Sequence, residues 1–169
     1  KIEDIKLLRA KTKIFFDCHL MVQKPLDLLK TLKDFGADSA TFHVETVKDP
    51  LAAIKQIRGH GLGVGIAVNN GVPAEKILPF VGKADIALVM SVQAGFGGQK
   101  FILAALEKVR VLRKKIDAEK LDCEIQIDGG IGLETGKMAV GAGVDILVAG
   151  SFVFANKSPK EAILALKKL

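Results

Sequence analysis

Ile86 to Gly98 reads IALVMSVQAGFGG, an apolar run to Val92 that breaks into a glycine cluster. The same plan recurs downstream. Cys123 to Asp128 (CEIQID) breaks into Gly129-Gly130, and Asp145 to Ala149 (DILVA) breaks into Gly150-Ser151. The near-continuous Ile, Val, Leu and Phe content of such runs suits strands covered on both faces, as in parallel sheets. Working outward, Ile14 to Leu20, Ser39 to Val44 and Gly63 to Val68 read as three further strands of this kind.

Helical patterns are expected between the strands, over Pro25 to Phe35, Pro50 to Arg58, Pro73 to Phe80, Phe101 to Glu119 and Leu133 to Val140. A last one runs from Pro159 to about Lys168, with Ser158 as N-cap and Glu161 as its capping-box partner. Asp49 stands before Pro50 in the same way. Gly36-Ala37-Asp38, Gly82-Lys83-Ala84-Asp85 and Gly143-Val144-Asp145 each place a helix-stopping glycine just before an acid at a strand entrance. That repetition indicates βα units, and with no linker in view residues 1–169 read as one domain. A doubly wound sheet that binds a dinucleotide would want a G-x-G-x-x-G turn after an early strand, and none is present. The glycine turns follow the fourth, fifth and sixth strands instead, where a (β/α)8 barrel places its phosphate site, in the loops after its last strands. An α/β barrel is therefore the expected fold.

The 169 residues are 49% hydrophobic and 26% charged, which excludes a disordered chain. The uncharged runs fall short of the roughly 20 residues needed to span a bilayer, and no leader-like pattern is seen, so secretion is not expected. Two cysteines, Cys18 and Cys123, form neither a disulfide framework nor a spaced zinc site, so a cytoplasmic setting is expected. Basic residues number 25 against 19 acids, but the densest run, Lys108 to Lys115 (KVRVLRKK), has the pattern of a solvated helix face with an apolar back. Nucleic acid and membrane are not expected partners. A modest positive field suits an anionic small substrate, and a homo-oligomer is compatible with the sequence.

Polar residues at the ends of apolar strands carry the chemistry. Asp17 and His19 alternate on one side of their strand, so both can point into a barrel. A lone histidine there is ordinarily a hydrogen-bonded core residue. Asp128 closes an apolar strand, where an acid needs a cation, donors or a proton to carry; capping the next helix is the plainer alternative. His43 and Glu45 are read as supporting residues. Three glycine clusters after successive strands can turn backbone N–H groups onto one phosphate. Met21 and Met90 read as apolar walls.

Five strings, FFDCHLMV (Phe15 to Val22), TFHVET (Thr41 to Thr46), ALVMSVQAGFGGQKF (Ala87 to Phe101), IQIDGGIG (Ile125 to Gly132) and VAGSFVF (Val148 to Phe154), run in order through the chain. Together they resemble the ribulose-phosphate 3-epimerase family. The resemblance implies a (β/α)8 barrel that interconverts D-ribulose 5-phosphate and D-xylulose 5-phosphate, with two aspartates on opposite faces of the substrate and one divalent metal (Zn2+, Fe2+, Mn2+ or Co2+) holding the substrate oxygens. It implies that His19 is a metal ligand that also touches substrate, and that Asp128 is both a metal ligand and one of the two acid–base groups. It puts Gly95, Phe96, Gly97, Gly98, Gly129, Gly130, Gly150 and Ser151 around substrate and phosphate, with Met21 and Met90 lining the site.

The family pattern also implies a serine, a histidine and an aspartate on two strands for which this sequence has no counterpart, since no H-x-D-V-M-D-G-like string occurs in it. Two of four ligands and one of two catalytic acids are thus in view. The barrel is expected to lack its first two strands over these residues, and residues 1–169 by themselves are expected to bind phosphate weakly and not to epimerise. Gln93-Ala94 stands where the family has a proline, and Asn69-Asn70-Gly71 is a second departure. Epimerisation of a ketohexose phosphate such as allulose 6-phosphate, and non-catalytic sugar-phosphate binding, are the alternatives. Two geometric expectations follow: His19 and Asp128 should converge, and the glycine turns should share one pocket.

Overall fold

In the computed structural model, which describes residues 1–93, 95 and 98–169, six strands form one parallel sheet in sequential order. They are β1 (Asp17–Leu20), β2 (Ser39–His43), β3 (Gly63–Val68), β4 (Ile86–Met90), β5 (Glu124–Asp128) and β6 (Ile146–Val148). The helices are α1 (Glu3–Arg9), α2 (Leu29–Phe35), α3 (Pro50–Gly59), α4 (Ala105–Glu119), α5 (Leu133–Ala142), α6 (Ser151–Phe154) and α7 (Pro159–Leu166). All five strand pairings are parallel. This is an α/β half-barrel with helices on its outside.

Period two sorts the strand residues onto two faces. One face carries Ala40, Phe42, Val64, Ile66, Val68, Ala87, Val89, Ile125 and Ile127, which are fully buried in the core shared with the helices. Leu32, Ile57, Val109, Leu112 and Ala139 supply the helix side of that core. Each Leu or Ile so buried contributes about 1.5–3 kcal/mol. The other face looks into the barrel, where Ala67, Leu88, Met90 and Val92 form a smaller apolar cluster. The polar residues Asp17, His19, Thr41, His43, Gln126 and Asp128 share the inner parity. Asp17 crosses the interior: its carboxylate accepts from Ser39 Oγ (2.6 Å), Thr41 Oγ1 (3.2 Å) and, across the barrel, Gln126 Nε2 (3.0 Å). That span between β1 and β5 is possible only in a curled sheet.

The recurring Gly…Asp phrase has a structural counterpart. Asp38 accepts from the Phe16 N–H (2.7 Å) and pairs with Arg9. Asp85 accepts from the Val64 N–H (2.7 Å) and pairs with Arg58 (2.8 Å), and Asp145 accepts from the Ile125 N–H (2.8 Å) and pairs with Arg113. In each case the acid ties the previous strand's backbone to an arginine on a helix. Asp49 and Ser158 cap α3 and α7 as expected, accepting from Ala52 N (3.0 Å) and Glu161 N (3.4 Å).

Several element limits differ from the sequence reading. Residues 73–80 do not form an α-helix; they make two 3-10 turns, Ala74–Lys76 and Leu78–Lys83. Pro79 lacks the N–H that a continuing helix would use. Helix α4 begins at Ala105 rather than Phe101, because the Ile102 N–H is bonded to Ser91 O (2.8 Å) at the end of β4. Pro25–Leu28 is a 3-10 turn leading into α2. The basic run in α4 is not uniformly solvated either: Arg113 holds Asp145, and Lys108 is half-buried.

Candidate active site

The strand ends gather on one mouth. Met21, Met90, Gly95, Gly98, Asp128, Gly129, Gly130, Gly150 and Ser151 line one cavity of about 280 Å3, with Gln93 and Gln99 beside them. The three glycine turns therefore do share a pocket over their described residues. Phe96 and Gly97 lie outside the described residues.

Left-handed backbone makes the Asp128 turn possible. Gly129 has φ +124° and Gly130 φ +63°, a region L side chains rarely adopt. A Cβ on Gly130 would also sit 2.8 Å from Phe101 N. Ser91 fixes the same turn from the neighbouring strand. Its N–H donates to Asp128 O (2.8 Å) and its hydroxyl to Gly129 O (2.7 Å). Thr135 Oγ1 donates to Gly130 O (2.9 Å), which ties the turn to the start of α5.

His19 and Asp128 converge as expected, with Nδ1 and Oδ2 3.7 Å apart. That distance exceeds a hydrogen bond. Among the described residues no donor lies within hydrogen-bond distance of the Asp128 carboxylate, and no group of three His, Cys, Asp or Glu side chains is placed to hold a metal. Asp17, by contrast, is satisfied by its three donors and lies a full turn of the pleat deeper.

Behind His19 stands a chain that the sequence reading named only as supporting residues. His19 Nε2 lies 2.8 Å from His43 Nε2, and His43 Nδ1 lies 3.2 Å from Glu45 Oε1. His43 is 2% exposed. Glu45 also accepts from Asn69 Nδ2 (2.7 Å) and Asn69 N (3.2 Å). Lys108 Nζ in turn donates to the carbonyls of Asn69 (2.6 Å) and Asn70 (2.8 Å). Burial works to raise the Glu45 carboxyl, but the His43 hydrogen bond and the backbone donors outweigh it and hold it below the usual carboxylate range. Burial lowers the Lys108 ammonium, against a smaller opposing pull from Glu45. Asn69, Ser91 and Lys108 were missed as contributors. The Asn69-Asn70-Gly71 departure was the available signal for the first; a serine closing an apolar strand was the signal for the second.

A family model described as "Ribulose-phosphate 3 epimerase family" matches residues 1–154. This chain belongs to the ribulose-phosphate 3-epimerase family. The chain is similar to the "Ribulose-phosphate 3-epimerase, cytoplasmic isoform" of Oryza sativa subsp. japonica, at 41% identity over 97% of this chain and 72% of that protein. It is similar also to the ribulose-phosphate 3-epimerase of Mycobacterium tuberculosis (strain ATCC 25618 / H37Rv), at 42% identity over 97% of the chain and 72% of that protein. Among solved structures, 3-hexulose-6-phosphate synthase superposes with TM-score 0.76 at 16% identity, covering 99% of this chain and 79% of that one. The 3-keto-L-gulonate-6-phosphate decarboxylase of Vibrio cholerae O1 biovar El Tor gives 0.73 at 17% identity, covering 99% and 77%. At such identities these two speak for the barrel fold of this epimerase-family chain and nothing more. No helix among the described residues is long and apolar enough to cross a membrane.

Proposed function

We propose that the protein is a cytoplasmic enzyme that interconverts D-ribulose 5-phosphate and D-xylulose 5-phosphate. The observation that carries this reading is Asp128: an acid at a strand end, with no hydrogen-bond donor among the described residues, on the wall of a cavity lined by three glycine turns. The phosphate sits on the N–H groups around Gly98, Gly130, Gly150 and Ser151, the last adding its hydroxyl. Gly95, Gly129, Phe96 and Gly97 belong to the same substrate-facing turns. The sugar then reaches toward the inner face of the barrel, between Met21 and Met90, whose apolar side chains keep water from the reacting carbon.

Asp128 holds or takes the C3 proton on one face of the sugar. Epimerisation needs a second acid on the opposite face, because one carboxylate cannot serve both sides of a planar enediolate. Asp17 is engaged with Ser39, Thr41 and Gln126, and Glu45 is engaged with His43 and Asn69. The second acid therefore comes from sequence outside these residues. It arrives on two further strands that pair with β1 and β6 and close the barrel, all in a single domain. Among the described residues β1 pairs only with β2, and β6 only with β5.

His19 Nδ1 and Asp128 Oδ2 are one nitrogen and one oxygen donor set 3.7 Å apart, a separation that two ligands about 2 Å from a single divalent ion can adopt. The residues fit such an ion as part of its ligand set, with the remaining donors on the closing strands. When bound, a divalent ion supplies Lewis-acid stabilisation to the oxygens that gain charge as C3 loses its proton. His19 contributes orientation, and its ring also faces the substrate.

The test is proton NMR of D-ribulose 5-phosphate with the complete protein in D2O. Xylulose 5-phosphate should accumulate with deuterium at C3. Turnover of allulose 6-phosphate in preference to the pentose would replace the substrate, and binding without exchange at C3 would remove the enzymatic reading.

A further inference from the structure

We infer that Glu45 is a positioning residue: through His43 it fixes His19 in the tautomer that carries its proton on Nε2 and turns the Nδ1 lone pair toward Asp128. The inference rests on the site proposed above, in which His19 is a ligand, and adds which of its nitrogens is free and what makes it so.

The hydrogen bonds along this chain of side chains fix where each proton lies. An ionised carboxylate only accepts, so the 3.2 Å contact between Glu45 Oε1 and His43 Nδ1 puts a proton on Nδ1. A neutral imidazole protonated at Nδ1 offers a lone pair at Nε2. The 2.8 Å contact between the two Nε2 atoms needs one proton, which must then belong to His19. His19 is left with its lone pair on Nδ1, facing Asp128 Oδ2 at 3.7 Å. Two acceptors facing each other at that distance are stabilised by a cation between them, which is the requirement of a metal site. Glu45 is itself held in place. Asn69 donates to Oε1 from both its backbone and its side chain, and Lys108 holds the Asn69 carbonyl. The arrangement follows the general rule that a ligating histidine is oriented by the partner of its other ring nitrogen, here extended through a second imidazole.

Residues 1–169 contribute three histidines to the imidazole spectrum of the complete protein, and single His→Gln variants assign them. Long-range 1H–15N correlation of 15N-histidine-labelled protein reads each tautomer directly. The spectra are recorded at about pH 8, above the ordinary imidazole value of about 6.5. His60, whose Nδ1 lies 2.9 Å from Gln56 O, serves as an internal reference for an Nδ1–H ring. We expect His43 protonated on Nδ1 and His19 on Nε2 in the metal-free protein. His19 protonated on Nδ1, or His43 on Nε2, overturns the inference.

Two variants sharpen it, with Zn2+ as the probe ion in a chelator competition. Glu45→Ala should leave His19 as a mixture of tautomers and weaken Zn2+ by about 10–100-fold. Glu45→Gln, which still presents an acceptor oxygen, should restore the single tautomer and most of the affinity. An unchanged His19 pattern in Glu45→Ala also overturns the inference. Should that variant fail to fold, the wild-type spectrum and Glu45→Gln decide by themselves. Failure of the proposed function looks different: the expected tautomers would be present, yet Zn2+ and the sugar phosphate would not bind.

Discussion

The two rims of the sheet treat their aspartates in opposite ways. At the strand entrances, Asp38, Asp85 and Asp145 each hold a backbone N–H of the neighbouring strand and an arginine from a helix. At the exits, Asp128 has no hydrogen-bond donor among the described residues and faces only the imidazole of His19. An acid spent on a strand's backbone and a fixed arginine stabilises the fold and is closed to chemistry. An acid left without donors is costly unless a cation, a substrate or a proton completes it. The barrel thus keeps its structural acids at one rim and, in the proposed mechanism, its reactive acid at the other, where functional sites on this fold lie.

The largest effect should come from the exit rim. Asp128→Asn should lower kcat by about 10²–10⁴-fold or more, since it removes a proton carrier, while the thermal midpoint stays within a few degrees. Steady-state epimerisation and a thermal melt on the same sample separate the two. Next in size, Gly130→Ala should raise KM for the sugar phosphate by about tenfold or more and cost about 1–3 kcal/mol, because an L residue resists φ +63° and its Cβ would press on Phe101 N. Saturation kinetics and urea unfolding check both parts.

At the entrance rim the pattern should invert. Asp85→Ala should cost about 1–3 kcal/mol in urea unfolding and leave kcat per folded molecule as it was. Burial works to raise the Asp85 carboxyl, but Arg58 and the Val64 N–H outweigh it and hold it below its usual value. A carboxyl depressed in the folded state gives stability that is complete above the unfolded value, near pH 4, and is lost as pH falls through the lower folded value. Asp85→Asn should therefore flatten the acid limb of the stability curve below about pH 4. The smallest effect is at Cys123, between the Asp85 and Asp145 clamps. Burial, reinforced by those acids, pushes its thiol up to about 12. Iodoacetamide at pH 8 should modify it far more slowly than a free thiol; rapid labelling would mean the entrance rim opens readily.

Much of this division is readable in the residues. The Gly…Asp repeat marked the entrance rim, and the glycine clusters after three successive strands marked the exit rim, because turns with positive φ and strand-starting acids are local requirements. Strand parity allowed His19 to point into a barrel, and its convergence with Asp128 was implied by the family resemblance. What was not legible depends on neighbours far apart in sequence. Apart from the neighbouring His43 and Glu45, the role of Ser91, the contact of His43 with His19 and the anchoring of Asn69 by Lys108 join residues 24 to 39 positions apart that meet only in the folded sheet. Lys108 in particular carried the signature of a solvated helix face, and nothing local distinguishes it from Lys114. The 3-10 turns after β3 were lost for a simpler reason: Pro73 and Pro79 fit a helix's first turn individually but not a continuous helix together.

The account turns on where a bound substrate lies relative to the two rims. The most direct measurement is a crystal structure of the complete protein with D-xylulose 5-phosphate. The account predicts the phosphate on the turns of Gly98, Gly130, Gly150 and Ser151, with C3 within about 3–3.5 Å of the Asp128 carboxylate. A phosphate bound elsewhere, or a C3 that faces away from Asp128, would contradict it.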